Sequence, residues 1–404
     1  MKFVHPKEIF AIPGARQGLP AWAYNHDELT QLEIEQVFLK HWLFVAHVAQ
    51  IPNNGDYHCF EMGNERAIVV RDDKGQIRAF RNMCRHRASR VVAEQSGHCA
   101  KAFICPFHGW SYNLDGSLRN VPKPETFPEF DKADFGLKSL DLEIWHGMIF
   151  IRFDGSGPSV AELWADAEEE VGLYRIEDME VLTETYDAHF NLDWKAVVDV
   201  DNEGYHVPIG HPELFDLVGS SYEDSQLESG LSRSTGCFSN RKHKLERNRD
   251  YVAALPEDSY LPESHRDLWI YYGFYPTFVL TLFPDQVEVY QFFPNGPQQS
   301  IMKGVTFGLP DDRPEMQRAR KLNQGINQEV QIEDNQLIEW VAEGMRSSAF
   351  DGLMLSDKEV GVAAFHNKLR EALPILTLKQ APEVGTLGEV NAKMLAQSKV
   401  AAVS

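Results

Sequence analysis

The sequence predicts an α+β protein with two domains. Its 404 residues exceed the length of one ordinary domain. Short alternating apolar runs fill residues 44–155, whereas residues 156–404 combine long helical patterns with aromatic, β-branched stretches. We therefore expect a helical segment at residues 1–43 that packs on the C-terminal domain, a β-rich domain at residues 44–155 and an α+β domain at residues 156–404.

The N-terminal half contains one helical pattern followed by strands. In residues 27–43, apolar side chains recur near helical spacing after Asp27, which can serve as the N-cap. Residues 66–82, RAIVVRDDKGQIRAFRN, predict a β-hairpin because two apolar runs flank the turn-rich segment DDKG. Residues 141–157, DLEIWHGMIFIRFDGSG, predict a single strand that ends in a Gly-rich connector.

The C-terminal half combines helices with an antiparallel sheet. Aromatic and β-branched residues bounded by Pro and Gly predict antiparallel strands within residues 268–310. The Ala-rich tail from about residue 380 is expected to be loose. Helical patterns occupy four places, namely residues 159–174, a segment that ends near Pro208, residues 312–346 and residues 356–373.

The composition excludes several classes of protein. A formal net charge of −21 argues against nucleic acid and anionic membranes as partners, because phosphate binding requires clustered Lys and Arg. The sequence contains no apolar run long enough to span a membrane, and its first residues include no long apolar stretch, so we expect a cytoplasmic protein. Five cysteines are too few for a disulfide framework, which favours free thiols or metal-bound thiolates.

Two Cys-His pairs point to one metal site in the β-rich domain. Cys84 with His86 and Cys105 with His108 are separated by residues 87–104. Thiolates and neutral imidazoles are soft or borderline ligands, and four of them can close a metal centre. A structural zinc is one interpretation. Two loops of a β-sandwich, each giving one Cys and one His, are a less usual setting for a structural zinc, because such sites commonly stabilise small modules.

A second constellation lies in the segment EGYHVPIGHP. His206 and His211 are five residues apart. Glu203, three residues before His206, is expected to share a helix face with it, and the proline between the histidines lets the chain turn so that the two rings converge. Two imidazoles and one carboxylate on one face are the ligands of a mononuclear Fe(II) that keeps open positions for O2 and substrate. The alternative interpretation is a solvated acidic face formed by Asp199, Asp201 and Glu203.

Both constellations resemble one known family. The loops CRHR and CPFHGW resemble the ligand loops of a Rieske [2Fe–2S] domain, although the segment between them is about one residue longer than is typical. The triplet DWK followed by EGYH and HP resembles the catalytic segment of the Rieske non-heme iron oxygenases, the aromatic-ring-hydroxylating oxygenase α-subunit family. The resemblance implies a β-sandwich Rieske domain and a helix-grip catalytic domain, in which an antiparallel sheet packs on a long helix.

The resemblance also implies the cluster ligands. Cys84 and Cys105 would hold one iron of the cluster, and His86 and His108 the other. Replacing two anionic thiolates by neutral imidazoles raises the reduction potential from about −400 mV to roughly −150 to +300 mV. At such a potential, electrons can pass to an oxygen-activating metal without a large loss of energy.

For the second metal, the resemblance implies a mononuclear Fe(II) held by His206, His211 and Asp334, with Glu333 as the alternative third ligand. Glu203 matches the acid that links this iron to the Rieske histidine of a neighbouring subunit. Asp201 competes for that role, because the sequence departs from the common family pattern around it.

The implied function is that of a terminal oxygenase component. It would use O2 and electrons that originate from NAD(P)H and arrive through a flavin and iron–sulfur reductase or a ferredoxin, and it would form a homotrimer. Similarity to betaine-demethylating members favours monooxygenation, by oxidative N-demethylation, of a quaternary ammonium or betaine substrate. An aromatic-ring-hydroxylating dioxygenase is the alternative, and a non-catalytic zinc protein or Rieske electron carrier is the remote one.

Two groups of side chains bear on partners and substrate. Aromatic residues in the predicted strands could surround a quaternary ammonium by cation–π contact, line a pocket for an arene, or simply form the core; they are Trp269, Tyr271, Tyr272, Phe274, Tyr275, Tyr290, Phe292 and Phe293. Arginines near the cluster loops are expected either to face the acids at positions 199, 201 and 203 of a neighbouring subunit or to dock an acidic electron donor; they are Arg81, Arg85, Arg87, Arg90 and Arg119.

Overall fold

A computed structural model describes residues 1–183, 185–238 and 242–403, with side chains described up to residue 398. The chain divides into two compact units. One comprises Leu39–Val160, and the other combines Met1–Phe38 with Ala161–Ser404. Within the described part of the chain, no helix has both the length and the apolar character needed to cross a membrane.

The N-terminal segment contains two helices, α1 (Pro6–Ile9) and α2 (Leu29–Gln36). The predicted helix at residues 27–43 is therefore too long. After α2 the chain forms a 3-10 turn at Phe38–Lys40, because Phe38 is fully buried and packs edge-on against Trp194, with ring centroids 4.8 Å apart.

The Leu39–Val160 unit is built from three small antiparallel sheets, with strand orders β1-β10-β9, β4-β3-β2-β5 and β6-β7-β8. Its strands are β1 (Leu43–His47), β2 (Asp56–Met62), β3 (Glu65–Arg71), β4 (Ile77–Arg81), β5 (Ser96–His98), β6 (Ala102–Ile104), β7 (Ser111–Asn113), β8 (Leu118–Asn120), β9 (Asp141–Trp145) and β10 (Met148–Arg152).

Two hairpins show how local sequence shapes this unit. The predicted hairpin is confirmed as β3 and β4, and the buried Asp72 carboxylate closes its turn by accepting hydrogen bonds from the backbone of Lys74 and Gln76. The single strand predicted at residues 141–157 is wrong. His146 and Gly147 both adopt positive φ, as a type I′ turn requires, so the chain reverses there and forms β9 and β10.

The second unit is a mixed α+β structure, as predicted. Its antiparallel sheet has the order β11-β18-β17-β16-β15-β14-β13, with β12 also pairing with β18. The strands are β11 (Glu180–Val181), β12 (Tyr186–Phe190), β13 (Glu223–Gln226), β14 (Ser232–Cys237), β15 (Leu268–Phe274), β16 (Phe278–Leu282), β17 (Val287–Pro294) and β18 (Ser300–Gly308).

The remaining helices complete the chain. They are α3 (Val160–Leu163), α4 (Glu168–Gly172), α5 (Trp194–Asp201), α6 (Val207–Gly210), α7 (Pro212–Val218), α8 (Glu246–Ala254), α9 (Pro314–Met345), α10 (Val360–Ala372) and α11 (Leu387–Val403). The long helix expected at residues 312–346 is confirmed as α9. The helix expected at residues 159–174 is instead two short ones. The tail expected to be loose is helical from Leu387, because helix-forming residues dominate it and Leu387 and Asn391 are buried.

The helix expected to end near Pro208 stops earlier, at Asp201. Gly204 donates its backbone N–H to the Asp224 carboxylate at 2.6 Å, and a side chain at this position would collide with the Tyr222 ring. This close approach breaks the helix. Glu203 and His206 therefore lie in a turn rather than on one helical face.

Candidate functional site

The four candidate cluster ligands lie on two loops of the Leu39–Val160 unit, one after β4 and the other after β6. Cys84 and Cys105 are buried free thiols. The rings of His86 and His108 lie 4.7 Å apart, measured between centroids. Burial and the neighbouring thiol raise the pKa of Cys84. The loops thus bring two thiols and two imidazoles together.

Residues around the loops hold these groups in place. The Trp110 ring stacks on His86 with an interplanar angle of 6°. The Tyr112 hydroxyl lies 3.2 Å from Cys84 Sγ and accepts the Arg85 backbone N–H at 2.9 Å. His86 Nδ1 is buried without a hydrogen-bond partner among the residues described. A buried, unpartnered imidazole nitrogen beside two buried thiols fits a [2Fe–2S] cluster with mixed Cys and His ligation.

A second group of candidate ligands converges in the other unit. His206, His211 and Asp334 place one ligand atom each within 4.8 Å of one another. The Nε2 atoms of the two histidines are 3.0 Å apart. Asp334 Oδ1 lies 3.1 Å from His211 Nε2 and 3.8 Å from His206 Nε2.

The outer nitrogens of both rings are occupied by carboxylates. Glu203 Oε1 lies 2.5 Å from His206 Nδ1, and Glu333 Oε2 lies 2.9 Å from His211 Nδ1. These contacts place the N–H of each neutral ring on Nδ1. Each Nε2 therefore keeps one lone pair, and the two lone pairs face one another beside the Asp334 carboxylate. Such an arrangement needs a cation between its members. The residues present therefore fit a mononuclear iron.

The other sequence candidates have different positions. Glu333, the alternative third ligand, contacts the outer nitrogen of His211 rather than the side that faces Asp334. Asp201, the alternative to Glu203, accepts a hydrogen bond from the Tyr290 hydroxyl at 3.0 Å. Sequence reasoning missed the orienting role of Glu333, although the adjacent pair Glu333-Asp334 offered a signal, because neighbouring residues on a helix can address two sides of one imidazole.

Comparisons with known families agree with this pair of sites. The model of the ring-hydroxylating α subunit (catalytic domain) matches residues 177–375, and that of the Rieske [2Fe–2S] domain matches residues 41–131. The chain belongs to the ring-hydroxylating oxygenase α-subunit family. A [2Fe–2S] cluster and a mononuclear non-heme iron are the cofactors that these two domains imply.

Individual relatives match shorter segments. The chain is 33% identical over 213 residues to the glycine betaine monooxygenase oxygenase subunit of Chromohalobacter salexigens, covering 52% of this chain and 47% of the relative. It is 36% identical over 199 residues to the large oxygenase component of the naphthalene 1,2-dioxygenase system of Pseudomonas aeruginosa, covering 46% and 43%. The matched segments thus span about half of either relative's length.

A solved structure resembles nearly the whole chain. It is that of a quaternary ammonium Rieske monooxygenase, described in connection with carnitine oxidation and inter-subunit electron transfer. The TM-score is 0.76 at 22% sequence identity, over 92% of this chain and 99% of that one. At this identity, the likeness supports the common fold of the family's α subunits.

In this α subunit, the candidate iron site opens into a cavity of about 630 Å³ that His206, His211 and Asp334 help to line. One wall is a face of the sheet. Strand pairing places two rows of residues side by side on that face, because side chains alternate along each strand. The rows are Ser234, Tyr271, Thr281, Glu288 and Thr306, and Ser232, Gly273, Val279, Tyr290 and Gly304.

Two carboxylates on the cavity wall are each bonded to a tyrosine hydroxyl. Glu288 accepts from Tyr186 at 2.7 Å, while Asp201 accepts from Tyr290. Gly304 leaves space for the pair of Tyr186 and Glu288, because a Cβ at position 304 would lie 2.3 Å from the Tyr186 ring. Both carboxylates are accessible from the cavity. The protein around the cavity reduces their hydration, which raises the pKa of Asp201 to about 7 and the pKa of Glu288 above its usual value.

The predicted aromatic residues divide between the cavity and the core. Tyr271, Tyr290 and Phe292 line the cavity. The others do not line it. Tyr272 follows Tyr271 in the strand and points to the opposite face, where its hydroxyl donates to Glu170. Trp269 shares the face of Tyr271 but lies beyond the cavity, fully buried against Phe283 with ring centroids 4.6 Å apart. The aromatic stretch is therefore partly cavity wall and partly core.

Most of the arginines near the cluster loops have partners within their own unit, and the expected pairing with the acids of a neighbouring subunit stays a prediction. Arg81 pairs with Glu65 and Arg90 with Glu61, both within the Rieske unit. Arg85 and Arg119 donate to backbone carbonyls of that unit. Arg87 differs, because its guanidinium lies over the ring of Phe107 at 5.1 Å.

Two of the three acids, Asp199 and Asp201, have partners within their own unit. Asp199 lies 2.7 Å from both the Tyr24 hydroxyl and His366 Nε2, and Asp201 faces the cavity.

Proposed function

We propose that this chain is the terminal oxygenase component of a Rieske-type oxygenase and that it oxidises a small quaternary ammonium compound. The proposal is supported by the presence of both candidate metal sites in one chain and by the relatives that share them. The substrate class is inferred from the cavity wall, which Asp201 and Glu288 line together with Tyr271 and Tyr290. Carboxylates and aromatic faces both attract an ammonium group.

The proposed reaction is oxidative N-demethylation. A methyl C–H bond of the trimethylammonium group is hydroxylated with one atom of O2, and the other atom is reduced to water by two electrons and two protons. The resulting hydroxymethyl group loses its hydroxyl proton to water and leaves as formaldehyde when its C–N bond breaks, and the nitrogen keeps the electron pair of that bond. NAD(P)H supplies the electrons through a separate reductase.

The residues of this chain bind and orient. His206, His211 and Asp334 would hold the iron, which when bound supplies the means of activating O2. Glu203 and Glu333 fix the direction of the two imidazoles. Tyr271 and Tyr290 would position the ammonium group, and Phe292 helps to exclude water from the reacting methyl group.

An electron donor would dock near the cluster loops. Phe107 and Ile104 are large apolar side chains that are 53% and 65% exposed, and Arg87 lies beside Phe107. An exposed apolar surface next to a cation suits an acidic ferredoxin or a flavin and iron–sulfur reductase. We propose a homotrimer, in which Glu203 rather than Asp201 links the two metal sites of adjacent subunits, because Glu203 is the acid that contacts a candidate iron ligand.

Two measurements test the proposal. Protein purified without oxygen should contain three irons and two acid-labile sulfides per chain, whereas a colourless zinc protein would contradict it. With a reductase, oxygen uptake and formaldehyde release should accompany one another with quaternary ammonium compounds. A His211→Ala variant should keep the cluster spectrum and lose both. Dihydrodiol formation from arenes, without formaldehyde from any ammonium compound, would instead establish the dioxygenase alternative.

A further inference from the structure

We infer that the cavity selects a singly charged cation without a carboxylate, such as an amino alcohol with a quaternary nitrogen, over a zwitterionic betaine. The inference rests on the proposed function, since it assumes that this cavity binds the ammonium substrate. It is carried by the charges that line the cavity and by those that the sheet directs away from it.

The described lining contains four acids and neither Lys nor Arg. The acids are Asp201, Glu203, Glu288 and Asp334. Asp334 and Glu203 belong to the candidate iron site, where two positive charges of the metal would offset them. Asp201 and Glu288 remain, and each has a tyrosine hydroxyl as its hydrogen-bond donor. A bound monocation would offset one of these two negative charges and be attracted by both carboxylates, whereas a bound carboxylate would add a third negative charge.

The alternation of the strands explains why no described Lys or Arg of the sheet lines this wall. Arg233 and Lys303 lie next to cavity residues in sequence but point to the opposite face of the sheet. There Arg233 pairs with Glu170 at 2.8 Å, and Lys303 pairs with Asp187 at 2.9 Å. Lys368 lines a smaller neighbouring cavity, which shares Asp201 and five other lining residues with the main one, and its ammonium donates to the carbonyl of Gly230. Arg233 and Lys303 are therefore directed away from a substrate in the main cavity, and the Lys368 ammonium is held by a backbone carbonyl.

The part of the lining that belongs to α9 supplies neutral polar groups. These groups are four amides, namely Gln324, Asn327, Gln328 and Gln331. Amides both donate and accept hydrogen bonds, so they suit a hydroxyl group at the far end of a substrate. A carboxylate in the same place would lose its hydration without gaining a cationic partner, which is costly in an enclosed site. The two parts of the lining together favour an ammonium group at one end and a neutral polar group at the other.

The test compares matched substrates in the reconstituted holoenzyme. Choline and glycine betaine share the trimethylammonium group and differ in the hydroxyl or carboxylate end. We expect kcat/KM for formaldehyde release to be at least tenfold higher with choline. Tetramethylammonium should inhibit the better substrate competitively, and acetate should not. Equal or better turnover of glycine betaine would overturn the inference while leaving the proposed function in place, whereas absence of formaldehyde from both, with arene oxidation, would overturn the proposed function itself.

A pair of variants assigns the selectivity to the wall. Glu288→Gln should lower kcat/KM for choline at least fivefold more than for glycine betaine, and so reduce the preference of the enzyme for choline over glycine betaine. Asp187→Asn is the matched control, because this acid pairs with Lys303 on the outer face, and it should leave the preference unchanged. An equal loss for both substrates in Glu288→Gln would contradict a charge-based role. If that variant does not fold, the comparison of the two substrates in the unaltered enzyme still decides the question.

Discussion

Glu203 Oε1 lies 2.5 Å from Nδ1 of His206, so one carboxylate fixes both the tautomer and the direction of an imidazole whose other nitrogen faces His211 and Asp334. The same carboxylate accepts the backbone N–H of His206 at 3.1 Å. Glu203 is thus built into the turn that carries the ligand. Its role in the candidate iron site depends on local geometry as well as on charge.

Replacement of Glu203 by Gln should weaken iron binding and activity by roughly 10–100-fold, the usual effect of losing a hydrogen-bond partner of a metal-bound histidine. Iron per chain after dialysis and the rate of formaldehyde release measure the two effects. Asp201→Asn makes the same chemical change in the same cavity but touches neither histidine, so it should retain iron. Equal iron loss in both variants would mean that cavity charge, rather than the contact with His206, holds the metal.

Asp334 and Glu333 should respond differently to the same amide substitution. Among the residues described, Asp334 carries the only carboxylate that lies near both Nε2 atoms, so we expect Asp334→Asn to lose the mononuclear iron with the cluster intact. Glu333→Gln leaves the ligands in place and should lower iron affinity by about 10–100-fold. The ratio of total iron to the visible absorbance of the cluster distinguishes the Asp334→Asn variant from the Glu333→Gln variant. An empty site in Glu333→Gln and a filled one in Asp334→Asn would reverse the assignment.

The extent to which the sequence predicts these sites follows from how local each one is. Cys84 and His86 are two residues apart, and His206 and His211 are five apart, so the spacing alone identifies each pair as candidate metal ligands. Glu333 is 122 residues from His211 in the sequence, so the spacing could not show that these two side chains are in contact. Family resemblance placed Asp334, but it did not distinguish the ligand from the neighbour that orients His211.

Features that depend on strand register could not be predicted. Glu288 faces the cavity because β17 pairs with β16 and β18 in one register, and a shift of a single residue would turn it to the other face. The end of α5 at Asp201 was missed for a similar reason. It depends on the contact of Gly204 with Asp224 and Tyr222, which lie about twenty residues further along the chain.

Tyr112 should raise the reduction potential of the cluster. Its hydroxyl lies 3.2 Å from Cys84 Sγ and can donate to a thiolate there, which favours the more reduced state by offsetting negative charge. A hydrogen bond worth about 0.5–1.5 kcal/mol corresponds to roughly 20–65 mV for one electron, so Tyr112→Phe should lower the potential by that amount. Redox titration followed by the cluster spectrum measures it. Tyr57→Phe, in the same core but packed on Phe103, should cause no shift.

Lys195 should be essential for the stability of the catalytic unit. Its ammonium is fully buried between the carboxylates of Asp193 and Glu33, and Glu33 also accepts the indole N–H of Trp194 at 2.7 Å. Lys195→Met leaves two buried carboxylates without their cation and should cost about 3–5 kcal/mol in urea unfolding. Lys303→Met removes a pair that is one-third exposed or more and should cost about 1 kcal/mol or less. Similar losses in both variants would contradict the special role of the buried ammonium.

Binding of a cationic substrate should strengthen with pH. Enclosure by protein raises the pKa of Asp201 to about 7, the nearby Asp334 carboxylate raises it further, and the Tyr290 hydrogen bond and His206 act in the opposite direction. Below pH 7 the carboxyl group is mostly neutral and attracts a cation weakly; above pH 7 it is ionised. We therefore expect KM for choline to fall between pH 6 and pH 8, by at most about tenfold per pH unit for one proton. A quaternary nitrogen has no proton to lose, so the substrate cannot cause this change. Asp201→Asn should flatten the profile, and an unchanged slope in that variant would assign the titration to another group.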